Sequence, residues 1–195
     1  QGTITVATRS GIHFRALGHG GSRNTKGAVR LEKDNAGAMF DLRGSDAKWR
    51  GCTFSNLELR GNPLANAIES RDFNNTRLKS CQITGFDTGI KFIHDDVFND
   101  SSQYWEISET NFTSNLIGVD LATRFKDPGW SRTTDISFLS CAFQGRPAEV
   151  PGVNSNAVSV PGTYGIRQLI TPEVDPETGE EDRGTGGRFR IINCH

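Results

Sequence analysis

Glu69, Lys91 and Asp120 occupy equivalent places in three similar segments of the sequence. They directly follow the apolar residues Ile68, Ile90 and Val119. If these segments are successive strands about 4.8 Å apart, the carboxylates of Glu69 and Asp120 lie about 9.6 Å from each other. Inverting glycosidases separate their two carboxyl groups by roughly 6.5 to 9.5 Å. The two acids are therefore candidate catalytic residues, and Lys91 between them is a candidate substrate-binding residue.

The same three side chains also have a purely structural interpretation. Opposite charges on neighbouring strands stabilise each other. A lysine between two acids would then form a solvent-exposed charge ladder, which Asp41 extends by one segment. Both interpretations need three successive strands in register.

Aromatic residues beside polar segments are candidates for sugar binding, because a flat ring offers an apolar face and a polar edge. Tyr104 and Trp130 are the substrate-binding candidates, and Trp49 and Phe98 have similar sequence surroundings. For Trp130, which follows a Pro-Gly pair, the functional interpretation is contact with carbohydrate or with another subunit, and anchoring of a loop is the alternative. Trp105 falls on an apolar position of the repeat and is expected in the core.

The sequence predicts no metal and no cofactor. His94-Asp95-Asp96 offers imidazole and carboxylate ligands, but their spacing matches no known cation-binding loop. The loop Gly18–Gly21 lacks the Gly-Lys-Ser/Thr of a phosphate-binding loop.

The elements that must position these residues are short strands that recur along the chain. Apolar and polar residues alternate over Cys52–Leu59, and the pattern returns over 76–83, 105–112, 136–143 and 189–194. The starts of these segments are 24, 29, 31 and 53 residues apart, the last interval being about two periods. A period of about 20 to 50 residues combined with strand-like alternation predicts a solenoid, in which each repeat covers the apolar face of its neighbour.

Alignment of the repeats places their inward residues in four columns. The columns are Cys52, Thr76, Trp105, Ile136, Phe189; then Phe54, Leu78, Ile107, Phe138, Ile191; then Leu57, Cys81, Thr110, Cys141, Cys194; then Leu59, Ile83, Phe112, Phe143. The outward row after the first column is polar in every repeat: Thr53, Arg77, Glu106, Ser137, Arg190. Two residues separate the second and third columns, as at Ser55-Asn56, and predict a bend between two strands of one coil.

The cysteines are expected to be four reduced, buried thiols. Cys81 and Cys141 share a column but are separated by one coil, which puts them about 9.6 Å apart. Disulfides need Cα atoms within about 7 Å. Cys194 is placed a further two coils from Cys141 by the 53-residue interval.

These patterns predict an all-β parallel β-helix with roughly six or seven coils, forming one domain over residues 1–195. Gly85, Gly89, Gly118 and Gly145 are expected where the backbone turns sharply. Arg124–Arg132 is expected to be a polar loop between coils. The chain begins without a methionine and stops inside a strand pattern, so it is expected to be a piece of a longer protein.

Composition limits the classes of partner. The 195 residues are 34% hydrophobic with a net charge of −1, which suits a narrow solenoid with a large surface. That charge creates no overall field towards nucleic acid, and no apolar run approaches the roughly 18 residues of a membrane span. We therefore predict neither nucleic-acid binding nor membrane insertion.

Three segments carry a resemblance to a known superfamily: Ile12–Gly18, Ala38–Gly44 and Cys52–Asn62. They resemble the pectate-lyase-like right-handed parallel β-helices, and are most similar to bacteriophage tail spikes and tail fibres. The resemblance implies a right-handed coil, recognition of long polysaccharides along the solenoid flank and, as in the phage members, a homotrimer. The Arg-x-x-Pro-x-x-Arg motif of pectate lyases and the Tyr-Gly-Phe-Asp-Pro-His motif of alginate epimerases do not occur in the sequence, so no catalytic residue is transferred from the superfamily.

The expected function is that of a tail-spike or tail-fibre domain, a receptor-binding protein that recognises host cell-surface polysaccharide. Its expected location is the virion tail or the extracellular space. Its expected partners are that polysaccharide, other tail or virion proteins and further copies of itself in a homotrimer. Two alternatives stay open: a polysaccharide-degrading hydrolase or lyase that uses Glu69 and Asp120, and a purely structural solenoid of a virion or cell surface.

Overall fold

The computed structural model describes residues 2–7, 11–16, 29–44, 51–93, 101–126, 129–147, 160–171, 173–174, 181–182 and 188–195. Within these ranges the regular elements are all strands. In chain order they are β1 (Ile4–Ala7), β2 (Ile12–Arg15), β3 (Val29–Glu32), β4 (Gly37–Arg43), β5 (Cys52–Ser55), β6 (Leu57–Arg60), β7 (Ala65–Arg71), β8 (Arg77–Lys79), β9 (Gln82–Thr84), β10 (Thr88–Phe92), β11 (Ser101–Ser108), β12 (Asn111–Asn115), β13 (Ile117–Lys126), β14 (Gly129–Leu139), β15 (Ala142–Gly145), β16 (Tyr164–Thr171), β17 (Glu173–Val174), β18 (Glu181–Asp182) and β19 (Phe189–Ile192).

Three parallel sheets form the flanks of the solenoid. Sheet A contains β1, β4, β7, β10, β13 and β16, and sheet B contains β2, β5, β8, β11, β14 and β19. Sheet C contains β3, β6, β9, β12 and β15. The chain visits A, B and C in turn, so five coils are complete and a sixth contributes strands to sheets A and B among the described residues. The predicted right-handed parallel β-helix is confirmed.

The core consists of the predicted columns, stacked in register. Phe54 pairs with Leu78, Leu78 with Ile107, and Ile107 with Phe138, and all four side chains are fully buried. Ile191 continues the file above Phe138 but is 58% exposed, because no described strand covers β19. Each coil therefore buries the apolar face of the coil beside it, the main source of solenoid stability.

Trp105 lies in the core, as its place in the first column predicts. Its side chain is 1% exposed, and its indole Nε1 donates a hydrogen bond to the Phe73 carbonyl oxygen at 2.8 Å. Its ring packs edge-on against Phe92 at 4.9 Å between centroids. The buried indole N–H is thus satisfied, as burial of such a donor requires.

In five successive coils, a single residue with a left-handed backbone conformation forms the predicted bend between sheets B and C. The φ angles are positive at the same place in each of these coils: Asn56, Ser80, Glu109, Ser140 and Asn193. A single left-handed residue redirects the chain without a loop, so the strands on both sides stay in register with the next coil. The prediction of a bend is confirmed.

The position of the final strand, β19, differs from the one predicted from the repeat spacing. The 53-residue interval was expected to span two coils, yet Ile136 pairs directly with Phe189. Between β15 and β19, the described residues contribute β16 to sheet A and form the small antiparallel pair of β17 and β18, which lies outside the three sheets. Cys141 and Cys194 are consequently on neighbouring coils, and the Cys141 amide donates to Cys194 Sγ at 3.4 Å.

The cysteine prediction is otherwise confirmed, since all four are free thiols. Cys52, Cys81 and Cys141 are buried, whereas Cys194 is partly exposed and so departs from the expectation. Burial raises the pKa of Cys52 to about 12, and that of Cys81 and of Cys141 to about 11.

Two further expectations are wrong, one about the role of the glycines and one about a loop. Of the four glycines expected at turns, only Gly85 has a left-handed backbone, with φ +80°. Gly118 is needed for close approach instead, because a Cβ there would lie 2.4 Å from the Gly165 carbonyl oxygen. The expected loop Arg124–Arg132 is mostly strand, since β13 and β14 extend beyond the solenoid and pair antiparallel, Arg124 with Ser131.

Candidate functional site

The predicted row of charges is present on the outer face of sheet A. Asp41 pairs in register with Glu69, Glu69 with Lys91, Lys91 with Asp120, and Asp120 with Arg167. Glu69 and Asp120 are therefore two strands apart, about 9.6 Å by strand spacing. The predicted alignment of these side chains is correct.

The carboxylate oxygens of these acids form ion pairs with arginines. Asp120 accepts hydrogen bonds from Arg167 at 2.6 and 3.2 Å. The Arg71 Nη1 atom lies 2.9 Å from Asp41 Oδ1 and 3.1 Å from Glu69 Oε2. Charge-assisted bonds of this kind are strong and directional, and only 7% of the Asp120 side chain is accessible.

The charge ladder differs from the predicted one in its cations. Within the described part of the chain, Lys91 makes no ion pair within 4.0 Å, and the cations that pair with the acids are Arg43, Arg71 and Arg167. The catalytic role of Glu69 and Asp120 stays a prediction. Their geometry shows two ion-paired carboxylates on a flat flank, which is the arrangement expected of a structural ladder.

An open groove of about 650 Å³ lies on a different flank, over the outer face of sheet B. Its floor is a row of outward residues in register, one from each coil: His13, Thr53, Arg77, Glu106, Ser137 and Arg190. Because neighbouring strands are about 4.8 Å apart, the six strands span about 24 Å along the solenoid axis. The groove can therefore accommodate a polymer segment rather than a single small molecule.

Tyr104 lies in this groove with an unusual backbone. Its φ angle is +59°, and its side chain is 49% exposed. The corresponding residues of the adjacent coils, Asn75 and Asp135, have φ angles of +56° and +55°. Asn and Asp tolerate the left-handed region, whereas a bulky tyrosine there is a true outlier. The inward Trp105 fixes the chain direction at this point, so Tyr104 faces outward.

The charges in the groove are only partly matched. Arg188 pairs with Asp135, with its Nε atom 3.0 Å from Oδ1. Arg77, Glu106 and Arg190 are exposed, and none of them forms a salt bridge within 4.0 Å to any residue that the structure describes. Two guanidinium groups and one carboxylate therefore face solvent on the groove floor.

The predicted site residues are thus divided between two flanks. Tyr104 lies in the sheet B groove, while Glu69, Lys91 and Asp120 lie on sheet A. Trp130 belongs to β14, but its side chain is outside the description. The other candidates outside the described residues are Trp49, Phe98, His94-Asp95-Asp96 and the loop Gly18–Gly21.

Sequence reasoning missed Arg77, Glu106 and Arg190 as site residues. The alternation placed them correctly on the outside of the repeat, and that was the available signal. It gave no indication that this row, rather than the row through Glu69, lines a groove, because alternation does not report the shape of a surface.

Neither metal sites nor related proteins add a further candidate among the described residues. In the described ranges no group of three or more His, Cys, Asp or Glu side chains is placed to hold a metal ion. The same ranges contain no helix long and apolar enough to cross a bilayer. No protein-family model matches the chain, and no curated protein matches its sequence.

Proposed function

We propose that this chain is a polysaccharide-binding β-helix domain of a bacteriophage tail spike or tail fibre, and that it contacts host-surface glycan through the sheet B groove. The observation that carries the binding site is Tyr104, an exposed aromatic side chain on a left-handed backbone inside an open, elongated groove. Backbone strain of this kind clusters at functional sites. The assignment to a phage tail, with a virion or extracellular location, rests on the resemblance of the N-terminal coils to those proteins.

The groove suits a glycan chain in shape and in chemistry. It follows the solenoid axis over about 24 Å, so a linear polymer can contact several coils at once. Tyr104 offers a flat ring for the apolar face of a sugar. Thr53, Asn75 and Ser137, which also line the groove, offer donors and acceptors for sugar hydroxyl groups.

A glycan array with bacterial capsular and lipopolysaccharide glycans tests the proposal. Wild-type protein is compared with Tyr104→Ala and with Lys91→Ala, which removes a side chain from the other candidate flank, sheet A. We expect Tyr104→Ala to weaken binding about tenfold, as loss of a ring contact does, and Lys91→Ala to bind normally. Loss of binding in Lys91→Ala alone would move the site to sheet A, and a correctly folded protein that binds no glycan would support the purely structural alternative.

Cleavage of the bound glycan is a second candidate activity, favoured by one observation. The register puts Glu69 and Asp120 on one face at a separation near that of inverting glycosidases. The arginines that occupy their oxygens argue for a structural role. Release of oligosaccharides by the wild type, abolished in folded Glu69→Gln and Asp120→Asn, would establish the enzyme; release that persists in both variants would eliminate these residues.

The proposed assembly is a homotrimer, again on the strength of the resemblance to phage proteins. Sedimentation equilibrium of the full-length protein measures the number of subunits directly. Three copies are expected. A monomer at all concentrations would remove the trimer from the proposal while leaving the groove unaffected.

A further inference from the structure

Two arginines of the groove floor differ from those on sheet A in having no acidic partner within 4.0 Å among the described residues. On sheet A, Arg71 and Arg167 bind carboxylates at 3.1 Å or less. On sheet B, Arg77 and Arg190 are exposed and form no salt bridge to the described residues. An unpaired guanidinium fork matches the geometry of carboxylate, phosphate and sulfate groups.

The described residues of the sheet B groove carry a small excess of positive charge, although the whole chain carries a net charge of −1. The described groove lining contains three arginines, Arg77, Arg188 and Arg190, against two acids, Glu106 and Asp135. A local excess of positive charge beside a groove attracts anions, over a range set by the ionic strength.

We infer that the ligand of the sheet B groove is an anionic polysaccharide, whose repeating unit carries carboxylate, phosphate or sulfate groups. The inference rests on the proposed function and specifies its ligand class. Arg77 and Arg190 bind the acidic groups, and Tyr104 stacks against a sugar ring between them.

The order of charges along the groove floor fits an acidic polysaccharide better than a nucleic acid. Arg77 and Arg190 are three strands apart in register, about 14 Å. Glu106 and Ser137 lie between them. A nucleic acid carries a phosphate at every nucleotide, so one of its charges would face Glu106. A polysaccharide with acidic groups on some sugars can place a neutral hydroxyl there, and that hydroxyl donates a hydrogen bond to the Glu106 carboxylate.

The test is an array of acidic bacterial polysaccharides, each printed beside its neutral counterpart, made by carboxyl reduction or by removal of phosphate or sulfate. Single-stranded DNA is included on the same array. The proteins are wild type, Arg77→Gln, Arg190→Gln and the matched control Arg60→Gln, an exposed arginine of sheet C. Circular dichroism verifies that each variant is folded.

We expect wild-type binding to be confined to acidic glycans, with at least tenfold weaker binding to the neutral counterparts. Arg77→Gln and Arg190→Gln should each lose about tenfold in affinity and show a weaker salt dependence, while Arg60→Gln should match the wild type. The counterpart that loses binding identifies the acidic group as carboxylate, phosphate or sulfate.

Three outcomes would overturn the inference, and they distinguish it from the proposed function. Equal binding to neutral counterparts, with Tyr104→Ala still defective, would remove the anionic ligand but keep glycan binding. Absence of binding to every glycan would remove both. Tighter binding to DNA than to any glycan would assign the sheet B groove to nucleic acid.

Discussion

Arg167 donates two hydrogen bonds to Asp120, one strand away on sheet A, at 2.6 and 3.2 Å. The pair shows what polar residues do on that flank: an acid on one coil is held by an arginine on the next or on its own strand, so the charges stabilise the stacking of coils. On sheet B, the exposed Arg77 and Arg190 lack such partners among the described residues. Among the described residues, the acids of sheet A are thus paired with arginines, whereas Arg77, Glu106 and Arg190 of sheet B form no ion pair within 4.0 Å.

Arg167→Gln should destabilise the protein by about 1–3 kcal/mol. The Asp120 side chain is only 7% exposed, and removal of one partner leaves a covered carboxylate without its counter-ion. The cost is lower than for a fully buried pair because 30% of the Arg167 side chain is exposed. Urea denaturation of Arg167→Gln, Asp120→Asn and the double variant measures the coupling, which two strictly additive single effects would contradict.

Tyr104→Asn should stabilise the fold by about 0.5–1 kcal/mol while it weakens glycan binding. Asparagine tolerates the left-handed backbone of this position, as Asn75 does one coil earlier. The reciprocal change Asn75→Tyr should destabilise by about 1 kcal/mol. Thermal unfolding measures both effects; a destabilised Tyr104→Asn would show that no strain is stored at this residue.

Gly118→Ala should destabilise the protein by about 1–3 kcal/mol, the usual cost of overpacking. The added Cβ would lie 2.4 Å from the Gly165 carbonyl oxygen and 3.0 Å from the Phe143 ring. Gly2→Ala is the matched control, because a Cβ there meets nothing within 4 Å. If the two substitutions have equal effects in urea denaturation, β13 does not approach β16 and the Phe143 ring as closely as described.

The free energy of unfolding should fall as the pH rises above about 9. Burial raises the pKa of Cys52 from 9.0 to about 12, and that of Cys81 from 9.0 to about 11. Below pH 9 these thiols are protonated in both states. Above it the unfolded thiols lose protons first, which favours the unfolded state until the pH passes the folded values. Cys52→Ala should therefore lose stability with pH less steeply than the wild type between about pH 9 and 11; identical slopes would be inconsistent with a buried Cys52 thiol.

The fold could be predicted because its signal is repeated in every coil. Phe54, Leu78 and Ile107 each follow the same alternation, so an error in one repeat is corrected by the others. The left-handed bend after each of these residues left a constant two-residue gap in the pattern. The position of β19 could not be predicted in this way, because an excursion between coils changes the interval without changing the strand that pairs.

The groove could not be predicted with the same success. Alternation places Arg77 and Lys91 equally on the outside, and only the structure shows that Arg77 lines a groove while Lys91 lies on the ion-paired flank. Tyrosine itself gives no signal of the left-handed backbone at position 104, since it is rarely found there. Asn75 and Asp135, at the same place in adjacent coils, are residues that do favour it.

A crystal structure of the chain with an oligosaccharide derived from its strongest acidic array ligand tests the central claim most directly. The account predicts ligand density along the outer face of sheet B, with acidic groups at Arg77 and Arg190 and a sugar ring against Tyr104. Density on sheet A beside Lys91, with an empty sheet B groove, would contradict it.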